Sequence, residues 1–169
     1  NKCKLTESNQ ETYKWCSLEA KQGNAEAQYN LGVMYDRGQY VTQDSEQALR
    51  WYTLAAEQGF VKAQFGLGLY YFFGLGETPD LKQAYKWFKL AAEQGDYWSQ
   101  FKLGDMYKNG QWVTQNNLYA YMWYDIASSD GDKEALEYKD SVASQMTKEQ
   151  ISEAQELARE CVAKDYKGC

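Results

Sequence analysis

A spacing of 36 residues constrains this chain more than any other feature. Trp15, Trp51, Trp87 and Trp123 follow it, as do Gly23, Gly59, Gly95 and Gly131. Gln28, Gln64 and Gln100 keep the same register, then Leu31, Leu67 and Leu103, then Gly32, Gly68 and Gly104. Tyr35, Tyr71 and Tyr107 continue it, and Gly38, Gly74 and Gly110 close it, with no gap needed anywhere. A period of about 20 to 50 residues is the mark of stacked supersecondary units. Each is too small to bury its apolar face alone and is covered by its neighbours.

Each repeat reads as two helices. Across residues 45–58, Ala48, Trp51, Tyr52, Ala55 and Ala56 recur at helical spacing, and Gly59 follows where a left-handed cap is easiest. A second helix spans about residues 60–73, with Ala63, Leu67, Gly68 and Tyr71 on its packing face and Gly74 or Gly76 at its end. Gly68 and its equivalents sit inside that helix, where glycine costs about 1 kcal/mol against alanine. Close approach of two helices there is the expected compensation. The pattern drifts in the last repeat, where Lys139 and Asp140 replace the Leu–Gly pair. Thr147-Lys148-Glu149-Gln150 then makes a capping box that opens a final helix with Ile151, Ala154, Leu157, Ala158, Cys161 and Val162 as its apolar stripe. The expected fold is an all-α solenoid of helix pairs in one domain, residues 1–169. Its repeats lie near 12–47, 48–83, 84–119 and 120–155, and a C-terminal capping helix runs to about 164.

Composition then narrows the chemistry. Histidine is absent, which excludes Ser–His–Asp and Cys–His catalysis, imidazole metal sites and a histidine pH switch. Eighteen basic against 24 acidic residues leave a net charge of −6, opposite to the footprint of a nucleic-acid or anionic-membrane binder. No apolar run approaches the roughly 18 residues that span a bilayer. The cysteines are Cys3, Cys16, Cys161 and Cys169, two near each end. Three connectivities are open, and local bridges Cys3–Cys16 and Cys161–Cys169 are favoured because they need no meeting of distant ends. Four unpaired cytosolic thiols are the alternative. Without C-x-x-C spacing a zinc site is disfavoured. The chain starts at Asn1, so a removed leader, a trimmed start and a lipid anchor upstream all stay open. Together these features point to a periplasmic or secreted protein.

The stretches Ala48-Leu49-Arg50-Trp51-Tyr52-Thr53-Leu54-Ala55-Ala56-Glu57-Gln58-Gly59 and Ala63-Gln64-Phe65-Gly66-Leu67-Gly68 resemble the Sel-one-like repeats, relatives of the tetratricopeptide repeats. The resemblance covers about residues 12–164. It implies a right-handed α/α superhelix that binds other proteins, with a concave face lined by one helix of each pair, here those near residues 24–37, 60–73, 96–109 and 132–145. Bacterial cysteine-rich members often carry one disulfide per repeat, whereas here only the ends have cysteines. Bacterial relatives suggest an immunity protein that neutralises a secreted toxin effector, or an envelope assembly or signalling adaptor.

On that face the expected partner-binding residues are Tyr29, Val33, Phe65, Leu69, Phe72, Phe73, Trp98 and Phe101. The row Tyr29, Phe65 and Phe101 reads equally well as packing between repeats. Phe72, Phe73 and Trp98 are stronger, because Asp36, Arg37 and Glu26 hold those repeat positions elsewhere and imply access to water. Tyr40 and Trp112 occupy equivalent turns, where they either cover helix ends or extend a contact surface along the rim, with packing the favoured reading.

Enzymatic readings are weaker. Ser99-Gln100-Phe101-Lys102 matches the S-x-x-K string of penicillin-interacting enzymes, but Ser99 stands at the small packing position of Ala27 and Ala63, and no K-T-G or S-D-N string accompanies it. A penicillin-binding or weak β-lactamase-like activity is therefore a minor alternative. Asp130-Gly131-Asp132-Lys133-Glu134 lacks the later ligands of a calcium loop. No phosphate loop or dinucleotide fingerprint is present, so no cofactor, metal or catalytic residue is expected.

Overall fold

Helices succeed one another through the described chain, and no strand occurs among the described residues. The computed structural model describes residue 3 and residues 10–75, 78–130 and 132–169. Gly76 and Gly131 lie outside them. The chain divides into two units, Asn1–Asp80 and Leu81–Cys169.

The N-terminal unit contains α1 (Gln10–Lys21), α2 (Ala25–Arg37), α3 (Ser45–Glu57) and α4 (Val61–Phe73), each packed on the next. Asn24 caps α2 through the Ala27 amide, and Asp44 caps α3 through that of Gln47. Gly38 and Gly74 end α2 and α4 at φ 64° and 65°, a left-handed conformation in which a Cβ would be strained. Cys3 and Cys16 are disulfide-bonded, and both lie in a core with Ala20, Ala27, Leu31 and Met34.

The C-terminal unit contains α5 (Leu81–Ala92), α6 (Tyr97–Asn109), α7 (Asn117–Ala127), a short 3-10 turn (Ser128–Asp130), α8 (Lys133–Ala143) and α9 (Lys148–Ala163). α5 packs on α6 and α6 on α7, while α7 takes both α8 and α9. The Thr147–Gln150 capping box is formed in full. Of the apolar stripe expected on α9, Ala154, Ala158 and Cys161 are buried and Ile151 and Leu157 half-buried, but Val162 is exposed. Cys161 is bonded to Cys169, and the tail carries the Tyr166 ring back over Gly95 at the α5–α6 turn.

Two repeat residues acquire their reason here. The buried Gln28, Gln64 and Gln100 amides each donate to a carbonyl near the end of the preceding helix, Ala20, Ala56 and Ala92, at 3.1, 3.1 and 3.4 Å. Each carbonyl also accepts the backbone amide of Gly23, Gly59 or Gly95, so the side chain takes its second lone pair and ties the two helices together. The helical glycine makes room for a ring. A Cβ on Gly32 would stand 2.7 Å from the Tyr52 ring, and one on Gly104 would stand 2.6 Å from Tyr124. Close approach was expected of the backbones; an aromatic side chain fills most of the space instead.

Candidate protein-binding surfaces

α4 carries a row of large apolar side chains along one face. Phe65, Leu69, Phe72 and Phe73 are spaced i, i+4, i+7 and i+8, so they lie along one side of the helix. Phe65, Leu69 and Phe72 are half-buried, and Phe73 is 60% exposed at the helix end. Phe72 and Phe73 meet edge to face with centroids 5.2 Å apart. The same positions on α2 are Tyr29, Val33, Asp36 and Arg37, and that helix presents two charges at its end. Tyr29 is half-buried against Tyr52 and Phe60 at 5.7 and 5.3 Å. Burial pushes the Tyr29 hydroxyl pKa up, and Arg37 partly opposes this. Val33 is only 5% exposed, which corrects its expected role: it has almost no surface to offer a partner.

In the C-terminal unit Trp98 sits in the first turn of α6, 52% exposed and edge-on to Tyr97 at 4.8 Å. Phe101, one turn later, is 4% exposed, and its expected role in binding is likewise corrected. Tyr97, Tyr124 and Tyr138 surround its ring at 6.3, 5.4 and 5.1 Å, so α7 and α8 have turned this position into core. Tyr40 and Trp112, expected to pack over helix ends, are instead exposed, and both hold positive φ, 66° and 68°.

Sequence reading missed Asp105, which stands at the repeat position of Val33 and Leu69. Its carboxylate accepts from the Tyr124 hydroxyl at 2.8 Å and the Lys102 ammonium at 2.9 Å. Burial, then the Asp105 charge, drives the Tyr124 pKa well above the ordinary tyrosine range. A lone carboxylate in an apolar row was the available signal. Both ends of the Ser99–Lys102 string are held by carboxylates. Ser99 is fully buried with its hydroxyl donating to Asp96 at 2.7 Å, and Lys102 is engaged by Asp105. Asp132, from the calcium-like string, caps α8 through the Ala135 amide, while Gly131 and the Asp130 side chain fall outside the described residues. Among the described residues no group of three or more His, Cys, Asp or Glu side chains could hold a metal ion, and no helix is long and apolar enough to cross a membrane.

The Sel1 repeat family model matches residues 25–60, 61–96 and 99–132, more than half of the chain. The chain belongs to the Sel1 repeat family. Among solved structures, a Sel1 repeat protein from Oxalobacter formigenes is 32% identical, with a TM-score of 0.70 over 75% of this chain and 95% of that one. A protective antigen present in uropathogenic Escherichia coli strains, which displays an SLR fold, is 29% identical with a TM-score of 0.59 over 92% of this chain. This chain spans 41% of that antigen's length. No curated protein matches. Sel1 repeats generally mediate protein–protein interaction, so a protein partner follows from membership. The two disulfides are those of an oxidising, extracytoplasmic setting.

Proposed function

We propose that this Sel1 repeat protein is a non-catalytic binding module of the bacterial envelope, periplasmic or secreted, which captures a protein partner on apolar side chains of its even-numbered helices. One observation carries the reading: α4 presents Phe65, Leu69, Phe72 and Phe73 where α2 ends in Asp36 and Arg37, so solvent-accessible repeat positions have been made aromatic. Large aromatics within a polar rim are how interface hot spots are built. Trp98 is the corresponding anchor of the C-terminal unit, and half-buried Tyr29 is a lesser one. The specific role proposed is that of an immunity protein neutralising a secreted toxin effector. The disulfides support exposure to the compartment where such a toxin would arrive, and the likeness to a protective antigen supports an exported setting.

The test is affinity capture from the native envelope fraction with wild type, Phe73→Asp and Trp98→Asp. Both substitutions should weaken capture of a shared partner by about tenfold or more with melting temperature unchanged. Capture undiminished from wild type in both variants sinks the proposal. A captured protein that kills cells lacking this chain establishes immunity, whereas a non-toxic envelope component makes the chain an adaptor. A covalent adduct on a serine after incubation with a labelled β-lactam would overturn the non-catalytic reading.

A further inference from the structure

The chain carries a net charge of −6, yet one helix presents a basic stripe. Lys82, Lys86 and Lys89 lie at i, i+4 and i+7 on α5. With Tyr85, Leu90 and Trp112 they line a cleft of about 490 Å³. Glu93 is the acidic residue of its wall, and its carboxylate also accepts from the Gly168 amide at 3.4 Å. Among the described residues none of the three lysines forms an ion pair. Lys82 lies 5.7 Å from the Trp112 ring centroid and Lys86 lies 4.9 Å from that of Trp87, contacts that leave both charges uncompensated.

The repeat supplies an internal control. On α3 the positions of Lys82, Lys86 and Lys89 hold Glu46, Arg50 and Thr53, and Glu46 neutralises Arg50 at 2.6 Å. On α7 they hold Leu118, Met122 and Asp125. At these equivalent positions α5 stacks three like charges where α3 and α7 do not, an arrangement that works against its own helix. Leu90 is less distinctive, since Leu18 and Leu54 keep its register and are also exposed. Trp112 shares its positive φ and its exposure with Tyr40, two repeats earlier, and replaces Gly76 of the repeat between; here its ring lies under the Lys82 ammonium. A tryptophan at φ 68° is strained and 54% exposed, so burial does not account for its being there.

We propose that this cleft is a second docking site, independent of the α4 face, for an acidic segment of a protein partner that also carries a large apolar side chain. The carboxylates would sit along Lys82, Lys86 and Lys89, and the apolar side chain between Trp112 and Leu90. Within a Debye length of about 8 Å, three unpaired ammonium groups also speed encounter with an acidic chain.

The probe is a fluorescein-labelled peptide of glutamates flanking a central Leu–Trp pair, titrated by anisotropy. Wild type should bind it, and affinity should fall steeply with salt. The double variant Lys82→Glu/Lys86→Glu should weaken binding by at least about tenfold. Lys133→Glu/Lys148→Glu, with the same charge change on exposed lysines outside the cleft, should leave it unchanged. Trp112→Gly should weaken binding similarly while the melting temperature holds or rises, because glycine relieves the left-handed strain. No binding by wild type, equal losses in both charge variants, or full affinity in Trp112→Gly each overturns the proposal. Two further outcomes would also replace it. Tighter binding of phosphatidylglycerol vesicles, abolished by Lys82→Glu/Lys86→Glu, would assign the cleft to lipid. Self-association of wild type lost in that variant would assign it to a second copy.

Discussion

α1 and α7 carry the same repeat skeleton in opposite surroundings. Trp15 on α1 is 40% exposed, whereas Trp123, three periods later on α7, is 1% exposed. Leu18 and Ile126 differ in the same way. α1 packs on α2, whereas α7 is held by α6, α8 and α9. One residue type at one repeat position is therefore surface in one unit and core in the other. A repeat prescribes which side chains face the neighbours; the number of neighbours decides their burial and their energetic weight.

The sharpest way to break the comparison is to truncate both tryptophans. Trp123→Ala should cost about 3 to 5 kcal/mol in urea unfolding, and Trp15→Ala about 1 kcal/mol or less. Equal losses would mean that burial does not set their weight. The staples should fall next. Replacing Cys3 and Cys16 by serine opens a loop with a sequence separation of 13 and should cost about 3 kcal/mol. Replacing Cys161 and Cys169, separated by 8, should cost slightly less. Intact mass should show both bridges, about 4 Da below the reduced chain because each removes two hydrogens.

Glycines separate crowded from open positions. Gly32→Ala and Gly104→Ala drive a methyl into the Tyr52 and Tyr124 rings and should each cost about 1 to 3 kcal/mol. Gly66→Ala, on the same helix as Phe65 and with nothing within 4 Å of its added carbon, should instead stabilise by about 0.5 to 1 kcal/mol.

The smallest effects are electrostatic, and their signs differ between the units. Tyr35 is pushed up to about 12 from the ordinary 10.0, first by its hydrogen bond with Tyr13 and then by burial. A raised phenol contributes stability that is complete below pH 10 and is lost as pH rises through about 12. Tyr13→Phe should return the Tyr35 titration toward the ordinary value, read by ultraviolet absorbance. Asp132 is held below its ordinary 3.8, chiefly by the Ala135 amide. Its contribution is present above that value and is lost as pH falls through the lower folded one. Asp132→Asn should flatten the acid limb of C-terminal stability.

Much of the fold was legible because it is written several times. The helix pairs, the glycine caps and the Thr147 capping box depend on local backbone preference and period, which a sequence displays directly. Among site residues, Phe72, Phe73 and Trp98 stood out because charged residues occupy their equivalents, and the structure leaves Phe73 and Trp98 open to solvent. Val33 and Phe101 did not rest on that contrast, and the row holding Phe101 read equally well as packing between repeats. Their burial comes from packing that no periodicity within their own helices encodes, and for Phe101 the cover is Tyr124 and Tyr138. The α5 cleft was invisible for the same reason: Trp112 reaches Lys82 only through the turn that follows α6.

The sequence by itself determined the period of 36, the two-helix repeat, the absence of histidine chemistry and a surplus of aromatics. Tertiary structure decided which aromatics remain available. Exposure is a property of what packs against a residue from distant parts of the chain. That is how one repeat position can hold half-buried Phe65 in one unit and buried Phe101 in the other.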